Sequence, residues 1–171
     1  MREILFRGKA ANREDGRQYR TSYKNGDWVY GLLTDPLNYA GFAEMTNTIG
    51  VSGIEVDENT VGQFTGLWDS TKWEELTQEE QNAFLHQPDG WENTEDVWHG
   101  KQIFEGDIVQ AHFRNNHSKQ TFCVIFGDGM FLFDNFYVKV PKYDIYCMKV
   151  IGNIHDNPEL LEGYNEQESY D

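Results

Sequence analysis

Short runs in which apolar and polar residues alternate dominate the first third of this chain. The opening ILFRGKA (4–10) alternates as a half-buried strand does. Two further alternating runs flank Asn25-Gly26 in the stretch RQYRTSYKNGDWVYGLL, and Asn-Gly favours a two-residue hairpin turn because both turn residues adopt positive φ. The pattern therefore predicts one strand followed by a hairpin centred on Asn25-Gly26.

The remainder of the amino-terminal part is less regular. From Thr34 to Thr48 the alternation is weak and Pro36 interrupts it, so this stretch is predicted to be a long connection. Alternation resumes between Val51 and Phe64, which predicts one or two further strands. Residues 1–67 are thus expected to form a β-rich subdomain.

A single helix is predicted, in TQEEQNAFLH (77–86). Thr77 is a suitable N-cap and Glu80 stands three residues later, before an apolar group, which is the pattern of a capping box. The helix is expected to end before Pro88, because a residue that precedes proline disfavours the α region. Residues 68–99 are accordingly predicted to be an acidic helical insertion.

Two tryptophans, Trp73 and Trp91, flank the predicted helix. Exposed indole rings are costly, so we expect both to dock the helix on the rest of the protein. An exposed lure for a partner is the alternative.

Strand patterns return from Val97 onward, in VWHGKQIFEGDIVQAHF, QTFCVIF, MFLFDNFYV and DIYCMKVIGNI, with tight turns at Glu105-Gly106-Asp107 and Gly127-Asp128-Gly129. Five short strands in about sixty residues predict a small barrel or sandwich. Residues 100–157 are expected to form an SH3-like β-barrel subdomain. A short helical turn in PELLEGY and a disordered acidic tail are predicted for residues 158–171. The fold class is therefore mainly β.

Composition supports a self-sufficient core. The 171 residues are 39% apolar and 15% aromatic, which is ample to fold one domain, or two small subdomains sharing one core, without metal or disulfide staples. No apolar run approaches the roughly 20 residues that cross a bilayer, and acid and base occupy the place of a signal peptide's apolar region. A cytoplasmic location without membrane contact is expected.

The net charge of −15 is concentrated in two segments. Glu74 to Asp96 holds eight acids and Asp156 to Asp171 holds six, and neither contains Lys or Arg. The remainder is nearly neutral. Direct DNA binding is not expected, because phosphate neutralisation needs clustered cations.

Candidate chemistry is sparse. Glu105 and Asp107 flank a turn glycine, and residues two apart on a strand can face the same side, as an acid–base pair requires. Turn capping explains the two carboxylates better. Cys123 and Cys147 stand among β-branched and aromatic residues, which is typical of buried, unpaired thiols and not of activated nucleophiles.

The histidines do not have metal-ligand spacing; they are His86, His99, His112, His117 and His155. Nucleophile-elbow and phosphate-loop motifs are also missing from the sequence. We therefore predict no catalytic, cofactor-binding or metal-binding residue, no cofactor and no enzymatic activity. Aromatic residues crowd the carboxy-terminal strands, and they either complete one core or form an outward surface for a partner peptide or a second protomer.

Three motifs resemble the YopX family of phage and prophage proteins: TVGQFTGL (60–67), KQIFEGDIV (101–109) and VIGNIHDNPELL (150–161). The segments EILFRGKA and WVYGLL agree with the family's start, so the resemblance extends over nearly the whole chain. It implies a phage or prophage origin, an SH3-like carboxy-terminal part and a β-rich amino-terminal part, with no established activity or site residue. The family runs from TGL-x-D almost directly into GK-x-IFEGD, whereas Trp68 to His99 intervenes here.

Three functions are compatible with these features. The first is a non-enzymatic phage accessory protein in the bacterial cytoplasm that acts through contacts with an unknown host or phage protein. The alternative is an acidic DNA mimic that occupies a host nucleic-acid-binding protein. A hydrolase of unrecognised type has the least support. Strand edges and surplus aromatic residues also favour a homo-oligomer.

Overall fold

The structure is a computed structural model, and it describes residues 4–11, 23–35, 42–47, 53–86, 93–114, 119–134 and 145–161. Within these ranges the chain forms ten β-strands, one short α-helix and several 3-10 turns. The predicted mainly-β class with a single short helix is confirmed. The chain divides into two compact units, Met1–Gly66 and Leu67–Asp171. The four-part division of the chain stays a prediction.

The first unit is an antiparallel sheet in which the strands follow the order β4-β3-β2-β1-β5. Its strands are β1 (Phe6–Lys9), β2 (Trp28–Asp35), β3 (Phe42–Asn47), β4 (Ile54–Asp57) and β5 (Gly62–Trp68), and the chain enters the second unit near the end of β5. Ala10, Val29, Met45, Ile54 and Val56 form a buried cluster. The apolar core is thus supplied by β2, β3 and β4, together with Ala10 directly after β1.

The long connection predicted from Thr34 to Thr48 is wrong, because it contains β3. This strand lies between two others, with Leu32 opposite Thr46 on one side and Ala43 opposite Val56 on the other. Both ladders satisfy its backbone groups, so the strand forms although its side-chain pattern is weak.

The hairpin predicted at Asn25-Gly26 is partly wrong. A turn is present, since the N–H of Asp27 donates to the carbonyl of Lys24 at 3.0 Å and Gly26 has φ +88°. Asn25, however, does not take positive φ. β2, the strand that follows this turn, pairs with β1. Ala10 extends that ladder toward the turn, since it exchanges backbone hydrogen bonds with Gly26 and Asp27. Most of the run predicted as its partner, residues 17–22, lies outside the described residues.

The second unit contains the five carboxy-terminal strands that were predicted. They are β6 (Gln102–Phe104), β7 (Asp107–Phe113), β8 (Lys119–Gly127), β9 (Met130–Asp134) and β10 (Ile145–Asn153). Four of them form an antiparallel sheet in the order β10-β7-β8-β9. A buried cluster that includes Ile103, Val109 and Phe122 is its core. The closure of these strands into an SH3-like barrel stays a prediction.

The helix and the chain's last described turn also lie in this unit. Helix α1 spans Gln78–Leu85. A 3-10 turn at Pro158–Leu161 matches the short helical turn predicted there. The disordered tail predicted after Tyr164 lies outside the described residues. No helix among the described ranges is long and apolar enough to cross a membrane.

Candidate functional site

The carboxylate of Asp107 accepts a hydrogen bond within the turn that joins β6 to β7. Asp107 is 1% exposed, and its Oδ2 accepts a hydrogen bond from the backbone N–H of Phe104 at 2.7 Å. Gly106 has φ +81°, and its N–H donates to the carbonyl of Val124 at 2.8 Å. A carboxylate in this position caps the turn, which is the role that turn chemistry predicted for it. Glu105, the other member of the suggested acid–base pair, is half-buried in the same turn.

A second buried carboxylate, that of Asp69, was not recognised in the sequence as an organising residue. It lies directly after β5 and is 5% exposed. Its Oδ1 accepts hydrogen bonds from the backbone N–H groups of Thr71 at 2.9 Å and Lys101 at 2.8 Å. Its Oδ2 accepts from the Thr71 hydroxyl at 2.7 Å and from the N–H of Val150 at 3.0 Å. The four donors come from three segments that are far apart in sequence.

Backbone hydrogen bonds add to those of the Asp69 carboxylate, and we call the two sets together the junction. The N–H of Asp69 donates to the carbonyl of Lys101 at 2.8 Å, and the N–H of Ser70 donates to the carbonyl of Met148 at 2.7 Å. The N–H of Met148 donates in turn to the Ser70 hydroxyl at 3.1 Å. The segment after β5 is therefore fixed both to β10 and to the chain just before β6. The only sequence signal for Asp69 was its place in the TGL-x-D motif.

The chain between these two attachment points folds into an arm, defined here as the described residues 71–86 and 93–99. Three aromatic rings form its centre: Trp73 and Phe84 are 5.7 Å apart, and Trp98 lies 5.0 Å from Phe84. The indole N–H of Trp98 donates to the carbonyl of Thr71 at 2.8 Å. Trp73 is thus a packing residue of the arm, and its partner is Trp98. Trp91, the other tryptophan predicted to dock the helix on the rest of the protein, lies outside the described residues.

The predicted capping box of α1 is confirmed. The Thr77 hydroxyl accepts from the N–H of Glu80 at 3.2 Å, and Glu80 Oε2 accepts from the N–H of Thr77 at 2.8 Å. The reciprocal bonds satisfy two of the backbone donors that a helix leaves open at its start. The side chain of Asn93 donates to the carbonyl of Phe84 at 2.9 Å and so closes the arm near the other end of the helix.

Two ion pairs join acids of the arm to lysines of the strand region, which is defined here as the described residues from Gly100 onward. Lys101 Nζ lies 2.5 Å from Glu80 Oε1, and Lys149 Nζ lies 2.6 Å from Glu75 Oε1. The hydrogen bond from Lys101 is the main cause that lowers the pKa of Glu80, and the bond from Lys149 lowers the pKa of Glu75. Conversely, the bond to Glu75 raises the pKa of Lys149. All four side chains are between 35% and 42% exposed, so solvent screens these pairs.

The two cysteines are half-buried and unpaired. Burial is the main cause that raises the pKa of the Cys123 thiol to about 11, and nearby carboxylates add to it. At neutral pH Cys123 is therefore a protonated thiol, which is a poor nucleophile.

The histidines lie in separate places. His112 and Tyr146 stack edge to face at 5.8 Å, and His99 lies 6.3 Å from Trp68 in the same manner. His86 follows α1 as its C-cap, and His155 lies near Gly106. His117 lies outside the described residues. Within the described ranges no group of three or more His, Cys, Asp or Glu is placed to hold a metal ion.

An apolar groove of about 180 Å³ lies in the second unit, where the end of β5 meets β9 and β10. Its lining is Leu67, Trp68, Phe133, Ile145, Tyr146 and Met148, with Ser70 and Cys147 as the smaller polar members. Trp68 is 44% exposed and Tyr146 is 48% exposed. We call this surface the Trp68–Tyr146 groove. The aromatic crowding of the carboxy-terminal strands thus divides between the core and an outward surface.

The fold and these features define an acidic, mainly-β protein with a structured helical arm. Residues 75–162 match the family model described as YopX protein, which is just over half of the chain. The chain therefore belongs to the YopX family. The match begins within the predicted insertion, and the motif at Thr60 to Leu67 precedes it.

Comparisons with individual proteins add one solved structure. The chain is similar to the crystal structure of protein EF1440 from Enterococcus faecalis, with 21% identity and a TM-score of 0.44, over 93% of this chain and 98% of that one. No curated protein matches the chain.

Proposed function

We propose that this protein is a non-enzymatic accessory protein of a phage or prophage, and that it acts through contact with another protein in the bacterial cytoplasm. The observation that supports this most is the Trp68–Tyr146 groove. Its volume of about 180 Å³ is below the roughly 300–1,000 Å³ that is usual for small-molecule sites, and its lining is mostly apolar. A groove of this size suits one large apolar side chain of a partner segment.

The state of the carboxylates supports the same proposal. Asp107 caps a turn, and Asp69 accepts three hydrogen bonds from backbone N–H groups and one from the Thr71 hydroxyl, so both carboxylates have structural partners. Catalytic carboxylates usually face a cleft together with other polar groups. In contrast, partially exposed Trp and Tyr side chains are the residue types that most often dominate the energy of protein interfaces.

The acidic mimic has weaker support. Two acids of the arm, Glu75 and Glu80, are already paired with lysines of the same chain. Paired carboxylates offer less of the dense negative field that a basic nucleic-acid-binding groove recognises.

The test is capture of partners by the tagged full-length protein from phage-infected host cells, followed by affinity measurement with any protein recovered. Trp68→Ala and Tyr146→Ser are expected to weaken binding by about 30-fold or more, as interface hot spots do. Phe126→Ser is the matched control, because Phe126 is 51% exposed and does not line the groove. Binding that survives both groove variants would contradict the proposal, as would a catalytic turnover that Asp107→Asn abolishes while the fold remains intact.

A further inference from the structure

The arm has its own internal packing. Its three aromatic rings contact one another, its helix carries its own capping box, and Trp98 donates a hydrogen bond to Thr71 within the arm. None of the eight residues of α1 is buried. A helix this short is marginal in isolation, so the aromatic contacts within the arm must supply much of its stability.

The strands beneath the arm are stabilised independently of it. β7 alone buries Asp107, Ile108, Val109, Ala111 and Phe113. The hydrogen bonds of Asp69 to the backbone of Lys101 and Val150 close the strand region at the base of the arm. These bonds do not depend on the arm staying in place, because their donors lie outside it.

Two Lys–Glu ion pairs cross from the arm to the strand region away from the ends of the arm. At its ends, the Thr71 hydroxyl donates to Asp69 and the ring of His99 lies edge to face with that of Trp68. Lys101 and Lys149 lie outside the arm, and Glu80 and Glu75 lie on it. Exposed ion pairs are weak and are screened by salt. A segment with its own core, fixed ends and weak attachments is typical of the separately opening units that hydrogen exchange detects in native proteins.

We propose that the arm opens and closes as a unit of its own, while its two ends stay fixed at Asp69 and Lys101, and that Lys101 and Lys149 hold it closed. The arm is thus a conformational device whose opening responds to ionic strength. Opening frees the two lysines and uncovers the face of the arm that carries Glu75 and Glu80.

Hydrogen exchange of the full-length chain, followed by mass spectrometry, tests this proposal. In the double variant Lys101→Met with Lys149→Met, exchange in α1 is expected to become about 2- to 30-fold faster, which is the range for two exposed ion pairs. Exchange in β7 and β8 is expected to stay unchanged. Raising the salt concentration to about 0.5 M is expected to reproduce the effect in the wild type and to add little in the variant.

Two controls separate charge from other effects. Lys119→Met changes an exposed lysine of β8 that belongs to neither pair, and it is expected to leave α1 unchanged. Lys101→Arg with Lys149→Arg keeps the charges and is expected to retain wild-type exchange. The proposal is overturned if α1 and β7 respond to salt or to substitution by the same factor, or if neither the methionine variant nor salt accelerates α1. The wild-type salt series decides the matter even if the methionine variant does not fold.

Discussion

The carboxylate of Asp69 and the backbone of Lys101 are joined in both directions. Asp69 Oδ1 accepts from the N–H of Lys101 at 2.8 Å, and the N–H of Asp69 donates to the carbonyl of Lys101 at 2.8 Å, although the two residues are 32 positions apart. The residues that precede and follow the arm are therefore bonded directly to each other. This junction explains how a long acidic segment can be accommodated without disturbing the strands on either side.

The first prediction concerns Asp69 itself. Asp69→Ala removes the acceptor of four hydrogen bonds in a buried place, so we expect a loss of about 2–4 kcal/mol in the free energy of unfolding. Denaturant unfolding monitored by circular dichroism measures it. Glu79→Ala, at an exposed position of α1, is the control and should change stability by less than about 0.5 kcal/mol. Equal stability of the two variants would show that Asp69 does not organise the junction.

Gly100 should be equally intolerant of change. It has φ +106°, and a Cβ at this position would lie 2.2 Å from the carbonyl oxygen of Asp69. We expect Gly100→Ala to cost about 3 kcal/mol or more, because the backbone must move as well as adopt a strained conformation. Gly129→Ala is the matched control: Gly129 also has positive φ but open space around it, and about 1–2 kcal/mol is expected. Thermal unfolding of both variants distinguishes them, and similar losses would argue against the close approach.

Cys123 should react slowly with alkylating reagents at ordinary pH. Its pKa is raised to about 11, mainly by burial, so only about 0.1% is thiolate at pH 8. In a Cys147→Ser variant, the alkylation rate of Cys123 should rise about tenfold per pH unit up to about pH 11. A small free thiol levels off near pH 9 and serves as the reference. A plateau for Cys123 at that pH would contradict the predicted shift.

The ion pairs of the arm should be visible in the titration of the two glutamates. Carboxyl-carbon shifts in nuclear magnetic resonance are expected to place the pKa values of Glu75 and Glu80 below the ordinary 4.5. A lowered carboxyl pKa stabilises the attachment above pH 4.5, and this stabilisation is lost as the pH falls through the lowered pKa. The pKa of Lys149 is raised, so the dependence on pH has the opposite sign. The stabilisation from Lys149 is present below pH 10.5 and is lost as the pH rises through the raised pKa.

The same titration has a built-in control. Lys149→Met should return the pKa of Glu75 toward its ordinary value and leave Glu80 shifted, because Lys101 still donates to Glu80. If Glu75 titrates identically with and without Lys149, the ion pair does not persist in solution.

Local patterns in the sequence predicted local structure well. The capping box at Thr77 and Glu80 formed as expected, because all of its partners lie within four residues. The turn at Asp128-Gly129 is a two-residue hairpin turn with φ of 51° and 77°. Asn25-Gly26 has a similar sequence, but only its glycine takes positive φ, and the N–H of this glycine donates to the carbonyl of Ala10 at 2.8 Å.

Long-range pairing could not be predicted in this way. β3 is defined by ladders to two neighbouring strands and not by its own alternation. The role of Asp69 depends on donors 32 and 81 residues away, which no local window contains. The Trp68–Tyr146 groove likewise combines residues from the end of β5 with others from β9 and β10. Aromatic composition indicated that such a surface would exist, but only the fold identifies its members.

Site-specific photocrosslinking in phage-infected host cells tests the proposed contact function most directly. A photoreactive phenylalanine analogue replaces Tyr146 in the groove, and in a second protein it replaces Phe126, which is similarly exposed. The account predicts a discrete crosslinked protein partner from position 146 and none of the same mass from position 126. The same products from both positions, or no product from position 146 when the protein is folded, would contradict it.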